Sequence, residues 1–143
     1  MNKEEYKYWD MELKDISKAV KKDLKKEYPH MKCSVRTYNY NSVEVSIKEI
    51  PRAYLKSREE YIHYLDTRYN LYDDSGICQR NLLLSDYDNN KVMPSFIKDE
   101  IWDNIQTIHQ KYNYDNSDLM TDYFDMRYYG TVHIDDECVI LEE

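Results

Sequence analysis

Two short stretches of this chain alternate apolar and polar residues, and they constrain its fold more than any other feature. Cys33, Val35 and Thr37 alternate with Ser34 and Arg36, and Val43, Val45 and Ile47 alternate with Glu44, Ser46 and Lys48. Successive side chains of a strand point to opposite faces, so each stretch has one apolar and one polar side. The connection from Tyr38 to Ser42 consists of turn-forming residues. The two strands therefore fold back on each other as an antiparallel hairpin with one face to bury. Pro51, which cannot donate to a sheet ladder, closes the second strand.

Helices supply the cover. Leu13, Ile16, Val20 and Leu24 recur at helical spacing and form one apolar stripe, with Asp10 expected as N-cap and Pro29 ending the helix after Tyr28. Ser57-Arg58-Glu59-Glu60 matches a capping box, which starts a second helix with Tyr61, Tyr64, Leu65 and Tyr69 on its buried side. A third helix is expected from Ser95 to Tyr112, carrying Phe96, Ile97, Ile101, Ile105 and Ile108, with Trp102 flanking. Residues 70–93 read as turn, strand and turn: Asp73 to Gly76, Ile77 to Leu84 and Asp86 to Asn90, an exposed hairpin. A long last strand is expected from Tyr123 to Ile134, with a turn at Asp135-Asp136 and a short strand from Cys138 to Leu141. On the long strand Phe124, Met126, Tyr128, Val132 and Ile134 point one way, and Tyr123, Asp125, Arg127, Tyr129, Thr131 and His133 the other. The fold class that follows is α+β. It is one domain over residues 1–143, with an antiparallel sheet (the hairpin plus the long C-terminal strand) packed against about three helices.

Composition narrows the functional classes. No apolar run approaches the roughly 20 residues that cross a bilayer, and the N-terminus has no apolar signal core, so a cytoplasmic location is expected. Three widely spaced cysteines, Cys33, Cys78 and Cys138, fit reduced thiols better than a disulfide framework. Gly76 and Gly130 are the only glycines, which argues against phosphate-binding loops built from several glycines. Sixteen tyrosines against two phenylalanines mean that much of the aromatic core carries a hydroxyl in need of a partner.

No motif of catalysis or metal binding completes itself. Asp86-x-Asp88-x-Asn90 opens like a calcium loop, but the sixth position is Lys91 and the twelfth Ile97, where glycine and glutamate are required. No pair among the cysteines and histidines has structural-zinc spacing, His133 and Cys138 being the nearest. Cys78 has four scattered histidines as potential bases, but the glycine turns that usually expose a nucleophile are missing. Asp115, Asp118, Asp122 and Asp125 are a weak candidate for acid–base work. The expectation is a protein that is not an enzyme, with no cofactor.

Charge is the remaining asymmetry. Residues 1–112 carry 19 acids and 19 bases, whereas residues 113–143 carry nine acids and one base, Arg127, and so hold the whole net charge of −8. Acidity there fits either a solvated edge or a surface for a basic partner. Tyrosine and arginine bury much area with few lost rotamers and are typical interface anchors. The candidate partner-binding residues are therefore Tyr114, Asp115, Asp118, Asp122, Tyr123, Asp125, Arg127 and Tyr129. The lysines of the first helix, Lys14, Lys18, Lys21, Lys22 and Lys25, make a second candidate surface. Glu12, Asp15, Asp23 and Glu27 are interspersed among them and dilute its field.

Two segments resemble a known family. One runs from Lys21 to Arg36, a basic helix passing through a proline turn into a Ser-Val-Arg strand. The other runs from Tyr112 to Gly130 and includes Thr121-Asp122-Tyr123-Phe124-Asp125. Together they resemble the large polyvalent protein-associated domains, specifically the twenty-ninth type, while residues 51–93 depart from the pattern. The resemblance implies a protein of phages or conjugative elements, and it brings no catalytic residues. A small accessory protein follows, one that binds and inhibits a host nucleic-acid-targeting defence complex of protein or ribonucleoprotein, as anti-CRISPR proteins do. The alternatives are a nucleic-acid-binding accessory domain using the lysine face, against which the net charge argues, and an unrecognised enzyme.

Overall fold

A computed structural model describes residues 7, 8, 10–39, 41–113 and 126–142. Helix α1 (Leu13–Glu27) leads into strands β1 (Lys32–Tyr38) and β2 (Ser42–Pro51). Helices α2 (Arg58–Arg68), α3 (Asp74–Asp88) and α4 (Asp99–Gln110) follow, and β3 (Val132–Leu141) ends the chain's regular structure. The fold is α+β, as the patterning predicts, with four helices among the described residues. The sheet order is β1-β2-β3.

The hairpin forms as expected. Val35 pairs with Val45 and Thr37 with Val43, which sets the apolar positions of both strands on one face. Val43, Val45 and Ile47 are fully buried there. The stripe of α1 meets them, with Ile16, Val20 and Leu24 buried. Helix α1 lies over β1, and α4 lies beside it towards β3. Ile105 and His109 of α4 complete this layer.

The third strand departs from expectation. It pairs with β2 in parallel, Val45 beside Val132 and Ile47 beside Ile134, so the sheet is mixed and not antiparallel throughout. The cause is the connection. Between Pro51 and Val132 the chain runs through three helices, long enough to carry it back and re-enter the sheet in the same direction. The strand also begins later and ends later than expected. Its register jumps between Ile134 and Val139, so Asp135 to Cys138 loop out opposite Lys48. The turn predicted at Asp135-Asp136 is thus an irregularity within one strand. Tyr123 to Asp125 of the expected strand lie outside the described residues.

Residues 70–93 do not form a hairpin. They hold α3, because the Asp73 carboxylate accepts the Gly76 N–H at 2.7 Å and so caps a helix. An Asp-x-x-Gly bond of this kind serves a turn equally well, and the breaker-free run from Ile77 to Asp88 decides for helix. A Cβ on Gly76 would lie 1.8 Å from the Asn70 carbonyl oxygen, which accounts for a glycine in the first turn.

Helix α2 starts at the predicted capping box: Ser57 Oγ accepts the Glu60 N–H, and Glu60 accepts the Ser57 N–H, both at 3.1 Å. The first helix begins three residues after the expected cap Asp10, with Glu12 at the cap position making no side-chain capping bond. The expected third helix loses its first turn to Lys56. That buried ammonium donates to the carbonyls of Ser95 (2.6 Å) and Ile97 (2.9 Å) and sits 3.0 Å from Asp99. The Lys56 N–H bonds Phe96 O and the Lys98 N–H bonds Tyr54 O. Pro94–Phe96 form a single 3-10 turn, Ile97 is extended, and α4 begins at Asp99.

Candidate functional site

The helices cover one face of the sheet. The other face presents polar side chains in ordered rows. Tyr38 pairs with Ser42, and Ser42 bridges to Tyr129. Arg36 pairs with Glu44. Ser34 pairs with Ser46, and Ser46 with His133. Lys48 and Asp135 close the array at 2.5 Å. Paired residues share a face and neighbouring strands lie about 4.8 Å apart, so Tyr38 and Tyr129 stand roughly 10 Å apart with Ser42 between them. Ser34, Arg36, Tyr38, Glu44, Ser46, Lys48, His133 and Asp135 line a shallow hollow of about 200 Å³.

The acids of this face are occupied internally. Burial pushes the Glu44 carboxyl up, but the N–H and hydroxyl of Thr131 (both 3.1 Å) and the hydroxyl of Ser42 (2.9 Å) outweigh it. The net effect holds Glu44 below the usual carboxylate range. Lys48, then the Glu137 N–H, hold Asp135 down in the same way. Arg36 makes no hydrogen bond or ion pair among the described residues. Tyr38 and Tyr129 are 49% and 40% exposed, large areas for aromatic side chains on a sheet.

Most of the expected partner-binding residues cannot be placed on this surface, because Tyr114, Asp115, Asp118, Asp122, Tyr123 and Asp125 lie outside the described residues. Two are described. Tyr129 stands on the open face with Thr131 and His133, as the alternation predicts. Arg127 does not join them. It is half-buried, and its Nη2 donates to the Met11 carbonyl at 2.9 Å, tying the C-terminal segment to the approach to α1. Among the described residues Arg127 pairs with no carboxylate.

Both ends of the acidic segment are anchored by a buried polar network. Asn113 Nδ2 donates to the Tyr128 carbonyl (2.9 Å) and Asn113 Oδ1 accepts the Tyr128 N–H (3.1 Å). The Tyr128 hydroxyl donates to the His109 carbonyl at 2.5 Å, near the end of α4. His109 Nε2–H donates to Val43 O, which leaves Nδ1 to accept from the Gln110 amide, both at 2.7 Å. Burial lowers the His109 pKa, so the neutral ring is the folded form. Gly130 completes the entry to the sheet. Its φ is +120°, and a Cβ there would lie 2.2 Å from Val43 O.

Sequence patterning identified the polar positions of β1, β2 and β3 one strand at a time. It did not show that the parallel pairing sets Tyr129 and His133 beside Ser42 and Ser46. The alternation of Ser34, Arg36 and Tyr38 with apolar residues was the available signal.

The other candidates separate in space. The calcium-like triplet sits at the end of α3, where Arg58 binds the Asp88 carboxylate at 2.9 and 3.2 Å. His133 is exposed on the open face, while Cys138 packs against the core. Burial pushes the thiols of Cys33 and Cys138 up to about 12 and about 11. Among the described residues no three His, Cys, Asp or Glu side chains gather to hold a metal ion. A roomier hollow of about 630 Å³ between Tyr54 and Ile140 contains two titratable side chains besides the tyrosine, His30 and Glu142, and Glu142 is bound to Arg52 at 2.7 Å. No helix among the described residues is long and apolar enough to cross a membrane.

Neither a curated protein nor a solved structure matches the chain. A family model does match, over residues 11–114. The matched span includes residues 51–93, where a departure was expected. It stops at the start of the acidic segment, so the resemblance of residues 112–130 lies almost wholly beyond it. It takes in α1, the hairpin and helices α2 to α4, and with most of its length covered the chain belongs to the family described as large polyvalent protein associated domain 29.

Proposed function

We propose that this protein is a non-catalytic accessory protein that binds and inhibits a host nucleic-acid-targeting defence complex, in the manner of anti-CRISPR proteins, within the bacterial cytoplasm. Its family associates it with phages and mobile elements. The observation that carries the reading is the uncovered sheet face, with Tyr38 and Tyr129 exposed on either side of Ser42, continuous in sequence with the most acidic part of the chain. Two rigid aromatic anchors with an acidic flank suit a basic protein groove of the kind that normally holds nucleic acid.

The test is co-purification with defence complexes of a bacterial host, followed by measured binding of variants. Replacing Asp118, Asp122 and Asp125 together by lysine is expected to weaken binding and to flatten its dependence on salt. Tyr129→Ala is expected to weaken it about tenfold with little effect on salt dependence, as loss of a single buried anchor does. Binding that is unchanged in both variants would remove the proposal.

A further inference from the structure

A second surface lies on the opposite side of the molecule from β3. Strand β1 pairs with β2 on one side, and among the described residues nothing pairs with its other side. Such an edge offers a row of unpaired N–H and C=O groups to another strand. The edge is open, with Lys32 and Arg36 to Asn39 exposed.

Helix α1 runs antiparallel to this edge and lines it with positive charge. Lys14 shares a hollow with Thr37 and Asn39 at one end of β1. Lys21 lies close enough to Cys33, at the other end, for its charge to act on that thiol. Lys14, Lys18, Lys21 and Lys25 follow one another at i, i+4, i+7 and i+11, which keeps them on one flank of the helix over roughly 16 Å. All four are exposed, and none makes an ion pair among the described residues. The acids of α1 do not sit among them in the way their order in the sequence implies. Asp23 points towards α4, where it binds Lys111 (3.2 Å) and the Tyr112 hydroxyl (2.6 Å). Glu12 is the only acid lining the hollow by Lys14.

We infer that the free edge of β1, flanked by the α1 lysines, takes up an extended acidic segment of a partner protein as a fourth strand. Main-chain hydrogen bonds to β1 would hold the segment, as in other cases of strand addition, and alternate side chains would select it. Those on the helix side recur about every 6.8 Å, within reach of flexible lysines about 6 Å and 10 Å apart along α1. Charge also disfavours the β1 edge of a second copy of this chain as the occupant. Antiparallel pairing of two β1 edges would put both α1 helices on one face of the joined sheet, lysine stripe against lysine stripe. A basic flank thus protects the edge from self-association and favours an acidic strand.

The experiment uses the isotope-labelled full chain and a peptide of about ten residues alternating Thr and Glu, a length that spans β1. Binding should shift the backbone amides of residues 32–38 and slow their hydrogen exchange. The double variant Lys14→Glu with Lys21→Glu, both at exposed positions without partners, should bind the peptide at least tenfold more weakly and still show the native helical signal. A Thr–Lys peptide should not bind. The inference is overturned if amide exchange in β1 is unchanged at saturation, or if the Thr–Lys peptide binds equally well. It is also overturned if oligothymidylate binds the lysines and the Thr–Glu peptide does not, which would make the stripe a nucleic-acid surface.

Discussion

Asn113→Ala should destabilise this protein far more than a change in a polar loop ordinarily does. Asn113 is 6% exposed and Tyr128 is fully buried. The asparagine satisfies both backbone groups of Tyr128, accepting its N–H at 3.1 Å and donating to its carbonyl at 2.9 Å, and it also donates to Gln110 Oε1 at 2.8 Å. Alanine removes the asparagine's bonds to a buried donor and a buried acceptor, at about 1–3 kcal/mol each. A total of about 2–6 kcal/mol follows, which is a large part of the stability of a typical domain. With an unfolding entropy near 2.1 cal/mol/K per residue, each kcal/mol lowers the Tm of a chain this long by about 3.3 °C, so the variant should melt roughly 7–20 °C lower. Urea titration with linear extrapolation, beside a thermal melt followed by circular dichroism, measures both quantities. A loss below about 0.5 kcal/mol would show that water replaces the asparagine and that the return of the chain to the sheet does not depend on it.

Two further outcomes follow from the ionisable groups. Because the folded-state pKa of His109 is depressed by burial, its contribution is full above the unfolded value near 6.5 and is lost as pH falls through the interval down to the folded value. Unfolding free energy should drop as pH is lowered from about 6.5, with a slope of up to about 1.4 kcal/mol per pH unit, and His109→Gln should flatten that slope. Among the thiols, Cys78 is exposed whereas Cys33 and Cys138 are pushed up to about 12 and about 11. A chromogenic disulfide reagent at neutral pH should therefore titrate one fast thiol in the native protein, none in Cys78→Ser, and three after unfolding.

What was legible in the sequence is what local patterning governs. The α1 stripe, the two faces of the hairpin and the Ser57–Glu60 capping box each depend on residues within a few positions of one another. Helix α3 escaped because its pattern is poor. Gly76 and Tyr87 are its buried residues, while Ile77 and Leu82 are exposed, so apolar positions do not mark one face. The start of α4 was misjudged because a single distant ammonium, that of Lys56, competes with the helix for the carbonyls of Ser95 and Ile97. Parallel pairing of β3 is a property of the 80-residue connection and leaves no mark on the strand itself. The lysine stripe was discounted for a related reason: acids interspersed in sequence are separated around a helix.

The excess of tyrosine over phenylalanine connects these points. A buried tyrosine is useful only where its hydroxyl finds a partner. Here several of them fasten one element to another. Tyr87 donates to Lys56 O at 2.6 Å, and Tyr61 and Ser95 share a hydrogen bond at 3.1 Å, so α3 is tied to the residue pair before α2, and α2 to the short turn before α4. Tyr112 reaches Asp23, and Tyr28 accepts from Asn104 at 2.8 Å, both joining α1 to α4 and the turn after it. Tyr128 fixes the chain's return to the sheet. Phenylalanine at these sites would keep the packing and lose the connection. Tyr38 and Tyr129 are placed differently: they are exposed, and their hydroxyls make no hydrogen bond among the described residues. Tyrosines that fasten the scaffold and tyrosines that stand unbonded on its open face have different physical explanations. Removing Tyr129 should therefore change binding without changing stability, whereas removing the Tyr128 hydroxyl should do the reverse.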